Sequence, residues 1–251
     1  MSNQIINAFP EFKKEKPLLP YLKISEMFSD TIQGENFVGV PATFVRTMGC
    51  TLNCQWCDSK EVWRKGNPYS VMEILELWEA NDLPRKFKEG QHLIFTGGSP
   101  LLQQDIITDL LHLFLSRYEF KPFVEFENEV VLKPKADMLW YVDIWNNSPK
   151  LENSGVTIKK RYNPDLLKFM SSLSNSWFKF VITRRLDWDE IMEDFIQPGL
   201  IKKNQIVLMP EGQTRLELEK TREIAVRLAI ENNVRFTDRL HITLWDKKTG
   251  V

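Results

Sequence analysis

The chain has 251 residues, 43% hydrophobic and 27% charged, with 33 Lys and Arg against 34 Asp and Glu. That is enough apolar material for one packed core of single α/β barrel size, while a net charge of -1 excludes a general attraction to phosphate backbones or anionic lipid. No run approaches the roughly 20 apolar residues of a membrane span, and the N-terminus lacks the regions of a signal peptide. The expectation is therefore a cytoplasmic globular protein with neither membrane nor direct nucleic acid as a partner.

Residues 1–20, which contain Pro10, Pro17 and Pro20, read as an N-terminal extension, and residues 21–251 as one domain. Runs rich in β-branched and aromatic residues predict strands over Ala42–Arg46, His92–Phe95, Phe123–Glu127, Tyr141–Trp145, Trp177–Ile182, Gln205–Met209 and Leu240–Trp245. Between them, Ser70 with Glu73, Asp187 with Glu190, and Thr214 with Glu217 have the spacing of a capping box, which predicts helix starts there. Apolar residues at helical spacing, such as Ile107, Leu110, Leu111 and Phe114, give those helices a face to bury. Strands alternating with helices imply a parallel sheet, either a barrel or an open doubly wound sheet, and such folds place their chemistry at the carboxyl ends of the strands.

The only three cysteines, Cys50, Cys54 and Cys57, lie within eight residues of one another behind the first of these strands. An odd, clustered set cannot staple a fold, so the thiols read as ligands. A cubane iron–sulfur cluster normally takes four thiolates, and three would leave one iron open to a further ligand. The alternative is a zinc knot completed by His92, His112 or His241, although structural zinc sites usually pair two half-motifs and no second one is present.

The spacing C-x3-C-x2-C, with Trp56 before the last cysteine, resembles the radical S-adenosylmethionine (SAM) superfamily signature. The resemblance extends, in order, through MFSDTIQGEN, GVPATFVRTMGC, CDSKEVW, FTGGSPLLQ, VEFEN, NNSPKL, FKFVI, LMPEG and RLHITLW to the 7-carboxy-7-deazaguanine synthase family. It implies a modified, incomplete TIM-like (β/α) barrel, assembled as a homodimer and reduced by an electron donor such as flavodoxin or ferredoxin. The implied reaction is that of a lyase: 6-carboxy-5,6,7,8-tetrahydropterin becomes 7-carboxy-7-deazaguanine, the precursor in queuosine and deazapurine synthesis, with loss of ammonia.

The resemblance also assigns residues. Cys50, Cys54 and Cys57 hold a [4Fe–4S] cluster whose open iron binds SAM, and SAM is the source of the radical, so no side chain is assigned as the catalyst. Trp56, Asp58, Gly97, Gly98, Ser99, Ser148, Pro149 and Lys150 fall on its SAM-binding segments, with Ser99 standing where the family's GGEP motif has glutamate. Ile32, Gln33, Gly34, Glu35, Arg46, Thr96, Glu127, His241 and Val251 fall on its substrate contacts, Arg46 facing the substrate carboxylate and Val251 offering a terminal carboxylate. Ser59 stands where the family has a threonine whose hydroxyl reaches Mg²⁺. Two rival readings share the cysteines: a glycyl-radical-activating enzyme acting on a protein, and a non-enzymatic metal-binding interaction module.

Overall fold

The computed structural model describes residues 4–6, 20–248 and 250. Its strands are β1 (Gln4–Ile6), β2 (Tyr21–Ile32), β3 (Pro41–Thr47), β4 (Asn67–Ser70), β5 (His92–Gly97), β6 (Val124–Asn128), β7 (Ile144–Asn147), β8 (Ser176–Ile182), β9 (Ile206–Pro210) and β10 (Arg235–Phe236). They form one sheet in the order β1-β2-β3-β5-β6-β7-β8-β9-β10, with β4 paired to β2. From β3 to β10 every neighbouring pair is parallel, whereas β2 runs antiparallel to β3 and carries β1 and β4 in antiparallel pairing. Among the described residues β10 pairs only with β9, so the sheet stays open as an incomplete barrel.

Side chains alternate between the two faces of a strand, and here the faces differ in chemistry. Val45, Leu93, Phe95, Val124, Phe126, Trp145, Phe178, Phe180, Ile206 and Leu208 enter one apolar core with the helices. That core includes Ile107, Leu110, Leu111 and Phe114 of the helix Gln104–Tyr118. Many of the intervening positions, among them Arg46, His92, Thr96, Glu125, Glu127, Asn146 and Lys179, are polar and face the concave side, and several meet one another there: Glu125, fully buried, accepts from His92 Nδ1 at 2.7 Å, Gln33 Nε2 at 2.8 Å and Asn146 Nδ2 at 2.8 Å. A buried carboxylate with three donors is satisfied rather than stranded, and it floors the barrel beneath the site.

Six of the seven predicted strands form, with boundaries shifted by a few residues. Tyr141 ends the helix Ala136–Tyr141, so that strand begins only at Ile144. The seventh expectation is wrong: Leu240–Trp245 is a helix. The edge beside β9 is already taken by Arg235–Phe236, and Asp238 turns the chain by accepting from Arg239 N at 3.0 Å and Thr243 Oγ1 at 2.8 Å. Of the three capping boxes, the one at Ser70 is complete, with Ser70 Oγ accepting from Glu73 N and Glu73 Oε2 from Ser70 N. At Thr214 the hydroxyl caps Glu217 N, but the Glu217 carboxylate reaches back to Gln213 N. Asp187 does not cap its helix; its Oδ2 accepts instead from the backbone of Thr183 and Arg184 and from Asn153.

Candidate active site

The carboxyl ends of β3, β5, β6 and β7 converge on one cavity of about 300 Å³. Cys50, Cys54 and Cys57 line it from the loop after β3, and all three thiols are free. The loop is fixed from both sides. Gly49 N donates to Trp63 O at 2.9 Å, while Gln55 N donates to Ser154 O at 2.9 Å and Trp56 Nε1 to Asn153 Oδ1 at 3.1 Å. Leu52, Cys54 and Val156 pack together beneath it.

Gly97 and Gly98 follow β5 where the backbone passes closest to this loop. A Cβ on Gly98 would stand 2.0 Å from Gly49 O and 2.6 Å from Cys50 Cβ, and Gly97, at φ +140°, would place one 2.3 Å from Thr47 O. The two glycines therefore serve the cysteine loop itself, besides whatever ligand approaches their backbone. Ser99 does not line the cavity: it is fully buried, and its Oγ accepts from Thr51 N at 2.9 Å. Pro149 is likewise buried behind the wall, whereas Ser148 and Lys150 line it, with Lys150 Nζ donating to Ser148 Oγ at 2.7 Å.

The remaining predicted residues come together around the same space. Trp56, Asp58, Ser59, Ile32, Gln33, Gly34, Glu35, Arg46, Thr96, Glu127 and His241 all line it. The Gln33–Glu35 segment is the exception to the expectation that every motif sits at a strand's carboxyl end with the cysteines. Because β2 is antiparallel, Ile32 pairs with Pro41, at the start of β3, and the loop enters from the amino-terminal side, where Phe37 packs edge-on against His92 and Phe123. The Gln33 amide is itself engaged, donating to Glu125 and accepting from Gly34 N at 2.8 Å. Val251 lies outside the described residues.

Charge in the cavity is paired but not uniform. Arg46 Nε donates to Glu26 Oε1 at 2.6 Å; burial acts to lower its pKa, but the Glu26, Glu127 and Asp58 charges prevail and hold it above its ordinary value. Asp58 pairs with Arg239, whose guanidinium also donates to Pro210 O at 3.2 Å. Burial works to raise the Asp58 pKa, and Arg239, His241 and Arg46 overcome it, leaving the carboxyl below its usual range. Glu35 pairs with Lys179. Burial, then Arg239, draw the Lys179 ammonium down to about 7. His241 Nε2 is 4.0 Å from Asp58 Oδ2. Desolvation first, aided by Arg239, Arg46 and Lys179, draws the imidazole's pKa down to about 4 against the opposing pull of Asp58, so His241 is neutral at pH 7 even with half its side-chain surface open to solvent. Phe28 and Phe44 add a flat apolar wall, their rings stacked at 5.1 Å.

Glu127 is a carboxylate held in surroundings that disfavour its charge. It accepts from Thr96 Oγ1 at 2.6 Å, yet burial first, together with Asp58 and Glu125, pushes its pKa above the usual value of 4.5 despite Thr96 and Arg46. A carboxyl whose folded-state pKa is raised destabilises the fold once ionised. Glu127→Gln, which keeps an acceptor for Thr96, is expected to raise the melting temperature by about 2 °C at pH 7, a shift typical of roughly 0.5–1 kcal/mol in a domain of this size. The gain should shrink as pH falls through the raised value and vanish below the unfolded one, because Glu127 is then neutral as well. An unchanged melting temperature at pH 7 would contradict the charge assignment.

Glu26, Glu129, Lys179 and Arg239 line the cavity without having been expected there. A signal existed for Lys179: a lone cation inside the apolar run Trp177–Ile182 is costly to bury unless something pairs with it.

The cysteine set fits an iron–sulfur cluster. Among the described residues no three His, Cys, Asp or Glu side chains meet at a point as a single ion needs, whereas a cubane gives each thiolate its own iron. Leu52 N and Asn53 N each lie 3.4 Å from Cys50 Sγ, and Trp63 Nε1 lies 3.5 Å from Cys57 Sγ, the N–H···S contacts that tune such clusters. His92 is held by Glu125 and His112 Nδ1 lies 3.2 Å from Tyr141 Oη, so neither completes a zinc knot.

Comparison with known proteins agrees with this geometry. The Radical SAM superfamily matches residues 44–223. A 7-carboxy-7-deazaguanine synthase of Pyrobaculum aerophilum is 31% identical over 234 residues, covering 92% of this chain and 98% of that protein. One of Halobacterium salinarum is 30% identical, covering 90% and 91%. The crystal structure of QueE from Escherichia coli aligns over 87% of this chain and 94% of its own with a TM-score of 0.64; at 20% identity the likeness establishes the fold.

Proposed function

The chain belongs to the radical SAM superfamily and, within it, to the 7-carboxy-7-deazaguanine synthases, and we propose that it converts 6-carboxy-5,6,7,8-tetrahydropterin into 7-carboxy-7-deazaguanine with loss of ammonia. The observation that carries this reading is the meeting, in one cavity, of three free cysteines with Arg46, Glu35, Glu127 and His241. Cys50, Cys54 and Cys57 would hold the cluster, and the cluster with SAM supplies the radical chemistry that a protein side chain cannot.

The chain's own residues bind, orient and exclude water. Lys150, beside Ser148, offers a cation to the carboxylate of SAM's methionine portion. The terminal N–H groups of Arg46 form a fork for the pterin carboxylate. Glu35, Glu127 and a neutral His241 present acceptors to the N–H groups of the aminopyrimidinone ring, which lies against the Phe28 and Phe44 wall. The helix Leu240–Trp245 closes the mouth with Ile242 turned inward. Ser59, whose hydroxyl lies 3.8 Å from Cys57 Sγ, would give Mg²⁺ one oxygen, leaving the rest of its shell to water and substrate.

We place this activity in residues 21–251, with residues 1–20 as an extension, in a cytoplasmic homodimer reduced by flavodoxin or ferredoxin. No helix among the described residues is long and apolar enough to cross a membrane. Glycyl-radical activation and a non-catalytic metal module lack support, since full-length likeness runs to deazaguanine synthases. The deciding experiment is anaerobic incubation with SAM, a reductant, the tetrahydropterin and a titration of Mg²⁺, with mass detection of the deazaguanine. SAM consumption without that product would refute the substrate, and a flat Mg²⁺ titration would remove the metal.

A further inference from the structure

Glu26 is buried to 2% exposure in the middle of β2, directly across from Arg46 on β3. Two residues along the same face, Phe28 stands across from Phe44, so the two strands present a charged pair beside an aromatic pair, all four lining the cavity. Only one oxygen of Glu26 is satisfied among the described residues: Oε1 takes the Arg46 Nε hydrogen bond, while Oε2 is buried and has no partner among them. A buried carboxylate oxygen left empty is costly, and such groups are rare in folded proteins unless a ligand supplies the missing donor.

The position of Oε2 defines that donor. The Arg46 guanidinium is the cavity's fork for a carboxylate, and Oε2 belongs to the residue bonded to that same guanidinium. A ligand that puts its carboxylate on Arg46 therefore has Glu26 as the acceptor for a donor on a neighbouring atom. In the tetrahydropterin the carbon that bears the carboxylate is bonded to N5, a secondary amine with one hydrogen. We infer that Glu26 is a specificity-determining residue, accepting the N5–H of the reduced ring while Arg46 holds the adjacent carboxylate. This rests on the substrate reading above and extends it. In the oxidised ring of 6-carboxypterin N5 carries no hydrogen and is an acceptor, so Glu26 turns a lone pair toward a lone pair. The pair of strands thus reads the oxidation state of the substrate, not only its outline.

The test measures binding to the cluster-loaded enzyme, anaerobically and without reductant, for 6-carboxy-5,6,7,8-tetrahydropterin and 6-carboxypterin. Wild type should favour the reduced ligand at least about tenfold, the effect of one hydrogen bond to a charged acceptor. Glu26→Gln should narrow that ratio by about the same factor, because an amide can turn its N–H toward an acceptor N5. If the variant weakens both ligands equally, Glu26 merely positions Arg46 and the inference fails. A second measurement needs no variant: the 5-deaza analogue, with a methylene at N5, should bind wild type roughly tenfold more weakly than the tetrahydropterin, and equal binding overturns the inference. Wild type binding neither pterin would overturn the substrate reading, and the inference with it, whereas an unaltered ratio in Glu26→Gln strikes the inference alone.

Discussion

Alanine at any one of Cys50, Cys54 or Cys57 is expected to leave a folded protein that takes up no stable cluster and cleaves SAM only at background. The sequence holds no fourth cysteine to replace the lost thiolate. The histidines offer no rescue either, since His92 is held by Glu125 under the cavity and His112 lies beside Tyr141, and His241 stands beside Asp58 at the mouth. Two thiolates leave two irons of a cubane without protein ligands, where one is normally left for SAM. Folding should persist, because the cysteine loop is held by Gly49, Gln55 and Trp56 rather than by the thiols, and only Cys54 is buried. The readouts are iron and sulfide content, visible absorbance after anaerobic reconstitution, and 5′-deoxyadenosine formed from SAM. A full cluster in any single variant would remove that cysteine from the ligand set, and loss of fold in all three would make the thiols structural.

How much of this was legible in the sequence depends on whether the signal was local. The cysteines, the double glycine and the capping box at Ser70 are local, because spacing of three or four residues dictates what the groups can reach; the box forms where expected, and the cysteines and glycines meet in one loop pair beside the cavity. Strand β3 and the strands from β5 to β9 were legible as short apolar runs flanked by turns, whereas β4, ending at the helix cap Ser70, was not. Nor was the twelve-residue β2. Its register breaks between Phe28 and Thr31, where Asp30 sits at φ +57°, and its concave face carries Glu26, so no clean alternation survives. Missing β2 hid both Glu26 and the antiparallel turn that sends Gln33–Glu35 in from the opposite side. The Leu240–Trp245 error has the same origin. β-branched and aromatic composition favours a strand only when a sheet edge is free to receive it, and β10 had taken that edge. Arg239 illustrates the limit most plainly, since its partners, Asp58 after the cysteine loop and Pro210 at the end of β9, lie far away in the chain and nothing in the surrounding residues names them.

Gly98→Ala should abolish cluster assembly although residue 98 contributes no ligand. The new Cβ would lie 2.0 Å from the carbonyl oxygen of Gly49 and 2.6 Å from Cys50 Cβ. The first of these is backbone, so no change of rotamer relieves it and the strand ends must part. That carbonyl also accepts the hydrogen bond from Ser99 N at 2.8 Å which joins the end of β5 to the start of the cysteine loop. Overpacking a tight contact costs about 1–3 kcal/mol or more, and here the displaced segment carries the first cluster ligand. The expected result is a lowered melting temperature together with an iron content near that of the cysteine variants. Gly199→Ala is the control: at φ +71° it bears a strain of about 1–2 kcal/mol, but nothing among the described residues lies within 4 Å of its Cβ position, and it should keep a full cluster. The comparison separates two roles for the glycine pair. If Gly98 served only to let a ligand approach the backbone, Gly98→Ala would retain its cluster and lose affinity for SAM alone. Loss of iron before SAM is added would place the requirement in the packing of β3 against β5, where the 2.0 Å approach lies.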